Sequence, residues 1–191
     1  MNEALYKGSF FKLLILTFIL MLLSSVIKEE DKKKDGEQEK SGLLSFGLAW
    51  QEGDYDVDLW VKGPREQAPV GFSNRIGYSL NLLRDDLGRT ADPSIYNYEN
   101  TFSRDVLPGE YTVNVMCWRC EATPVKYSLS ITALMGDDRK DTNRIASIEG
   151  QLDANRQEVT VIQFQLDDKG KIVPESVNHV YTPLVQFGGK Q

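Results

Sequence analysis

Residues 54–61, Asp-Tyr-Asp-Val-Asp-Leu-Trp-Val, alternate with a period of two, and this pattern constrains the chain more than any other stretch. Tyr55, Val57, Leu59 and Val61 fall on one face; Asp54, Asp56, Asp58 and Trp60 fall on the other. Successive side chains of an extended strand point to opposite faces, so the pattern predicts a half-buried strand, one face on a core and one in water. Gly63-Pro64 ends it, because proline has no N–H to give to a ladder.

The same period recurs downstream. Leu44, Phe46, Leu48 and Trp50 alternate with Ser45, Gly47 and Ala49. Tyr111, Val113, Val115 and Cys117 follow the turn at Leu107-Pro-Gly109, and Tyr127, Leu129, Ile131 and Ala133 alternate with Ser128, Ser130 and Thr132. Residues 70–74 and 79–83 predict shorter strands. Residues 84–100, rich in Asp, Asn, Gly and Pro, predict a long irregular connection. Residues 144–151 and 158–166 read as a pair joined around 153–156, and the turn at Asp167–Gly170 leads into 171–173. Val161-Ile162 places apolar residues in both phases, which predicts a bulge or a strand covered on both sides. No part of residues 43–191 carries a 3.6-residue apolar stripe over eleven residues. Short alternating strands with frequent turns predict an all-β domain, an antiparallel β-sandwich over residues 43–191. A hydrophobic content of 41% and an aromatic content of 10% suffice for its core.

Ahead of this domain, residues 1–9 make a short tail and residues 10–27 an apolar run of 18 with Lys12 as its only charge. A helix needs about 20 residues to cross a bilayer, with about 17 as the lower end, and Lys12 lies near enough to the end to snorkel. The run predicts a transmembrane anchor. A cleaved signal peptide is the alternative, since residues 13–27 alone are short and Ser24-Ser25 are small, although no A-x-A pattern is present. Residues 28–42 mix Lys, Glu and Asp without a large apolar side chain, which predicts a solvated, charged tether. Lysine placement, with Lys7 and Lys12 before the span and Lys28, Lys32, Lys33, Lys34 and Lys40 after it, would keep the carboxyl side in the cytoplasm. A long carboxyl-terminal domain translocates largely regardless of charge, however. The cysteine pair described below suits an oxidising compartment, so the expectation is an extracytoplasmic domain, periplasmic or at the cell surface.

Seven of the 22 basic and seven of the 28 acidic residues lie in residues 1–42, so the remaining 15 basic and 21 acidic residues carry the whole net charge of −6. An acidic domain without a basic stripe repels phosphate backbones, which argues against nucleic acid as a partner.

Three motifs combine: D-x-D-L-W-V-x-x-P at 56–64, L-P-G-E-Y-T-V-N-V at 107–115 and Y-S-L-S-I at 127–131. Together they resemble the bacterial pre-peptidase C-terminal type domains and their relatives, over roughly Gly53 to Thr132. That resemblance implies a small jelly-roll-like sandwich, an exported accessory module that binds or presents, and a group in which some members bind calcium. Two departures stand out. This chain begins with an anchor rather than following a protease, and residues 133–191 add strands that the motifs do not supply.

Asp54, Asp56 and Asp58 should project from one strand face about 7 Å apart, twice the strand rise. Side by side they repel, and a hard cation with oxygen ligands such as calcium would relieve the repulsion. Asp85 and Asp86, with Asp92, could close such a site from the long connection. The competing expectation is a solvated face with Arg65, Arg75 or Arg84 as counter-charges. No Asp-x-Asp-x-Asp-Gly loop with a twelfth-position Glu is present, which excludes an EF-hand. No other cofactor is expected.

Cys117-Trp-Arg-Cys120 is the only cysteine pair, and with the lone His179 it cannot close a tetrahedral zinc site. A thioredoxin-type motif belongs between a strand and a helix, whereas this pair falls between two alternating strands. A disulfide stapling their hairpin is expected, with free thiols or a redox-active pair as alternatives. No G-x-S-x-G, H-E-x-x-H or Gly-rich phosphate loop is present, and His179 has no partner that sequence can place beside it. Trp60, Trp118 and Met116 lie on the polar phases of their strands. As exposed aromatics, Trp60 and Trp118 would be anchors for a protein or a sugar; alternatively, both sheet faces are covered.

The expected function is a membrane-anchored binding or structural module of a cell-envelope assembly without catalysis. Residues 10–27 would contact the membrane, and another envelope protein would be the partner. The alternatives are an accessory or redox envelope protein using Cys117 and Cys120, and a carbohydrate-binding sandwich.

Overall fold

Alternation of apolar and polar residues becomes nine strands among the described residues of the computed structural model, which are 43–89, 96–135 and 141–185. The expected anchor at 10–27, the tether at 28–42 and Asp92 lie outside them. No helix among the described residues is long and apolar enough to cross a membrane. The strands are β1 (Leu43–Trp50), β2 (Asp56–Lys62), β3 (Leu80–Arg84), β4 (Tyr98–Ser103), β5 (Gly109–Arg119), β6 (Val125–Met135), β7 (Asp141–Leu152), β8 (Glu158–Leu166) and β9 (Ile172–Asn178).

Two antiparallel sheets face each other as a β-sandwich, one in the order β3-β4-β1-β6-β7 and the other in the order β2-β5-β8-β9. The pairing is nested: β3 with β4 in the first sheet, β2 with β5 in the second, and β1 with β6 back in the first. β7 then extends the first sheet beside β6, and β8 the second beside β5. The core fills the space between the sheets. Phe46, Leu48, Val57, Leu59, Val113, Val115, Leu129 and Ile131, all from predicted inward phases, are buried in it. At its centre the Tyr111 ring stacks on Phe164 with centroids 5.3 Å apart.

Three local expectations differ from the structure. First, β5 and β6 belong to different sheets, as do β7 and β8, so neither pair is a hairpin: each connection crosses the sandwich. Alternation fixes which residues face inward but carries no information about which neighbour a strand takes. Second, β4 lies at the end of the stretch expected to be irregular, and it sits between β3 and β1. Its inward phase is Glu99, Thr101 and Ser103, all buried, so the apolar period that marks other strands is missing here. Third, residues 70–74 form only isolated bridges, Val61 with Val70 and Gly71 with Asn74. The bulge expected at Val161-Ile162 is present, where the β5–β8 register jumps from Val113–Ile162 to Asn114–Thr160.

β2 and β5 are buried on both faces. Their outer face is covered by a second, smaller apolar cluster of Trp60, Met116 and Leu184, with Phe72, Trp118 and Val185 packed against it. Glu158 pins the covering segment: its Oε1 accepts hydrogen bonds from the Leu184 and Val185 N–H groups at 2.8 and 3.1 Å and from Asn114 Nδ2 at 2.6 Å. Its Oε2 accepts one from the Tyr181 hydroxyl.

Candidate functional site

β2 carries three aspartates toward one end of the sandwich, and their surroundings separate them. Asp54, just before the strand, forms an ion pair with Arg119 at 3.2 Å. Gly88, at φ 77°, lies so close to this pair that a Cβ there would meet Arg119 Nη2 at 2.7 Å and Asp54 Oδ1 at 2.8 Å. Asp56 is only 7% exposed and its Oδ1 has no hydrogen-bond partner. Burial pushes its carboxyl up to about 6, against the pull of Arg119. Asp58 is 2% exposed, with Oδ2 equally without a partner. Burial, followed by the charges of Asp56 and Asp85, pushes it up to about 8. The expected solvated aspartate face is therefore corrected: Asp56 and Asp58 lie inside.

The connection after β3 brings Asp85 and Asp86, with opposite roles. Asp85 sits 3.8 Å from Arg75 through Oδ2, while its Oδ1 is buried without a partner. Asp86 is fully engaged in holding its own loop. Its Oδ1 accepts from the Gly88 N–H at 3.0 Å, and its Oδ2 accepts from the Tyr98 N–H at 3.2 Å and from Arg84 Nη2 at 3.3 Å.

Glu99, which sequence reasoning missed, completes the group. It is 1% exposed and extends from the inward phase of β4. Its Oε2 accepts a 2.6 Å hydrogen bond from the Leu59 N–H on β2, and its Oε1 one of 3.3 Å from the Asp86 N–H. Burial, followed by the charge of Asp58, raises its pKa well above the ordinary glutamate value. One carboxylate oxygen each from Asp58, Asp85 and Glu99 lies within 4.8 Å of the other two. The signal that could have found Glu99 is its setting: a lone carboxylate in Tyr98-Glu-Asn-Thr-Phe102, a run otherwise suited to a strand.

Of the five aspartates expected to bind metal, the structure thus brings Asp58 and Asp85 close to Glu99, with Asp56 next to Asp58 on β2. It commits Asp54 to Arg119 and Asp86 to its loop.

The cysteines meet at the end of β5. Cys117 and Cys120 form a disulfide with Cα atoms 5.9 Å apart, where the chain crosses from β5 to β6. The β7–β8 crossing packs beside it. The Cys117 N–H donates to Gln157 O, the Arg156 N–H to Cys117 O, and the Cys120 N–H to Asn155 Oδ1, each at 2.9 Å. The disulfide therefore lies within one sheet crossing that hydrogen bonds tie to another, where a hairpin staple had been expected.

Of Trp60 and Trp118, the first is covered and the second half-buried. Trp60 is 4% exposed, with Phe72 edge-on to it at 5.3 Å. Trp118 packs on Phe72 at 5.0 Å and lies 3.8 Å beneath the Arg156 guanidinium. Trp60 helps line a groove of about 570 Å³ with Gln67, Asn74, Thr112 and Leu184. His179 is exposed and donates from Nδ1 to Val161 O at 2.6 Å, at the β8 bulge. Its role is to tie down the chain after β9.

Comparison with protein-family models, with curated proteins and with solved structures finds no match to this chain.

Proposed function

We propose that this chain is a membrane-anchored, extracytoplasmic β-sandwich module that acts by binding, or as a structural part of a cell-envelope assembly, and performs no catalysis. The observation that carries this reading is the Cys117–Cys120 disulfide at the point where two sheet crossings meet. A disulfide persists in oxidising compartments and is rare in the cytosol. The apolar run at 10–27 and the charged tether at 28–42 supply the anchor and the spacing. Nested pairing of β3–β4, β2–β5 and β1–β6 supports the jelly-roll-like description, and with it the likeness to pre-peptidase C-terminal type accessory domains. The groove beside Trp60 is where a partner chain would be sought first.

Alkaline carbonate extraction and protease treatment of intact cells test the reading together. The chain should stay with the membrane after carbonate, and its sandwich should be reachable by external protease once any outer barrier is opened. Release by carbonate, or protection until the inner membrane is lysed, would overturn it.

A further inference from the structure

We infer that Asp58, Asp85 and Glu99, with Asp56 beside them, bind a hard divalent cation of the calcium type. The inference does not rest on where the domain resides.

Unsatisfied oxygens mark this place among the protein's buried acids. Glu66 directs its oxygens at the Tyr78, Ser79 and Leu80 N–H groups, at 2.6 to 3.0 Å. Asp86, and the half-buried Glu158, are satisfied in the same way. By contrast, Asp56 Oδ1, Asp58 Oδ2 and Asp85 Oδ1 are buried with no hydrogen-bond partner among the described residues. A buried polar oxygen left unpaired costs free energy, and a charged one costs more. Three such atoms on neighbouring carboxyls are met by protons in the metal-free protein or by a cation that displaces them.

Among the described residues, no neighbouring cation hydrogen-bonds to these oxygens. Arg119 donates to Asp54 and to Leu87 O. Arg156 lies over Trp118, and Arg75 approaches only the other oxygen of Asp85.

The donor set selects the ion class. All candidate ligands are carboxylate oxygens, which suit calcium or magnesium rather than thiolate- and imidazole-seeking metals. Calcium–oxygen bonds of about 2.3–2.6 Å span oxygen pairs up to about 5 Å apart, and one oxygen each of Asp58, Asp85 and Glu99 lies within 4.8 Å of the other two. Such an ion would join β2 of one sheet to β4 and the β3–β4 connection of the other. The cation thereby closes this end of the sandwich.

The test is the melting temperature of the full chain in detergent, stripped with chelator and returned to calcium chloride. Addition of millimolar calcium should raise it by about 5 °C or more. Asp58→Asn should abolish the rise. Asp54→Asn, outside the site, should keep the rise. If Asp58→Asn fails to fold, Asp85→Asn at the partly exposed edge serves instead, with the same loss expected. No rise in the wild type, or an undiminished rise in the variant used, would overturn the site.

Discussion

Glu99 on β4 accepts a 2.6 Å hydrogen bond from the backbone N–H of Leu59 on β2, so a carboxylate from one sheet occupies a donor at the edge of the other. An edge strand presents unpaired N–H groups that would otherwise be open to another chain. β2 has β5 on one side only, and Val70 covers Val61 on the other. Glu99 extends that cover toward the acidic end.

Removal of the Glu99 carboxyl leaves the Leu59 N–H buried and opens a cavity. Glu99→Ala should lower stability by about 3 kcal/mol, and Glu99→Gln, which keeps one acceptor and the volume, by about 1 kcal/mol. Urea denaturation of the chelator-treated protein measures both. Equal losses in the two variants would contradict the edge-capping role.

The raised carboxyls set a direction for pH. A carboxyl whose folded pKa is raised keeps its proton in the fold after the unfolded chain has lost it. Its contribution is full below about pH 4 and is lost as pH rises through the folded value. For Asp56 and Asp58 those values are about 6 and about 8, with Asp85, Asp86, Arg119 and Arg156 as the charged neighbours. Glu99 acts in the same direction. The melting temperature of the chelator-treated protein should therefore fall from about pH 4 to about pH 8, and Asp58→Asn should lessen the fall between about pH 6 and 8. A flat or rising profile contradicts this electrostatic account.

The disulfide closes a loop with a sequence separation of only 3. Chain entropy then gives it about 2 kcal/mol, equivalent to about 4–8 °C in a domain of this size. The double substitution of Cys117 and Cys120 by Ser should lower the melting temperature by that amount and leave the circular dichroism spectrum unchanged. Loss of a cellular activity with undiminished stability would instead favour redox chemistry.

In the segment 181–185, the Leu184 and Val185 N–H groups and the Tyr181 hydroxyl depend on Glu158 as their acceptor. Glu158→Ala should cost about 2 kcal/mol and speed hydrogen exchange at Leu184 and Val185. It should also shift tryptophan fluorescence to the red as Trp60 loses its cover. Unchanged exchange at those two amides would show that apolar packing alone holds the segment.

Inward phases were legible wherever apolar residues mark them: Phe46, Leu48, Val57, Leu59, Val113 and Leu129 all lie in the core that their alternation predicts. Partner choice between strands was not. Cys117–Cys120 and residues 153–156 read as local turns, yet each lies where the chain crosses between sheets. The candidate site was half legible. Spacing identified Asp56 and Asp58 along with Asp54, and the following connection offered Asp85 along with Asp86, but neither could show that the supposed solvent face of β2 is buried. That burial is imposed by the β3–β4 connection, by Phe72 and by residues 184–185, all distant in sequence. Glu99 was hidden for the complementary reason: on β4 the inward face is polar.

The most direct test of the anchored, extracytoplasmic reading is the reactivity of Cys117 and Cys120 in intact cells toward a membrane-impermeant alkylating reagent, with and without prior reduction. Labelling of both cysteines only after reduction, before any lysis, is the predicted result: it places the domain outside and the pair in a disulfide. Free thiols that stay unreachable until lysis would put the domain in the cytoplasm, in agreement with the lysine distribution, and would contradict the account.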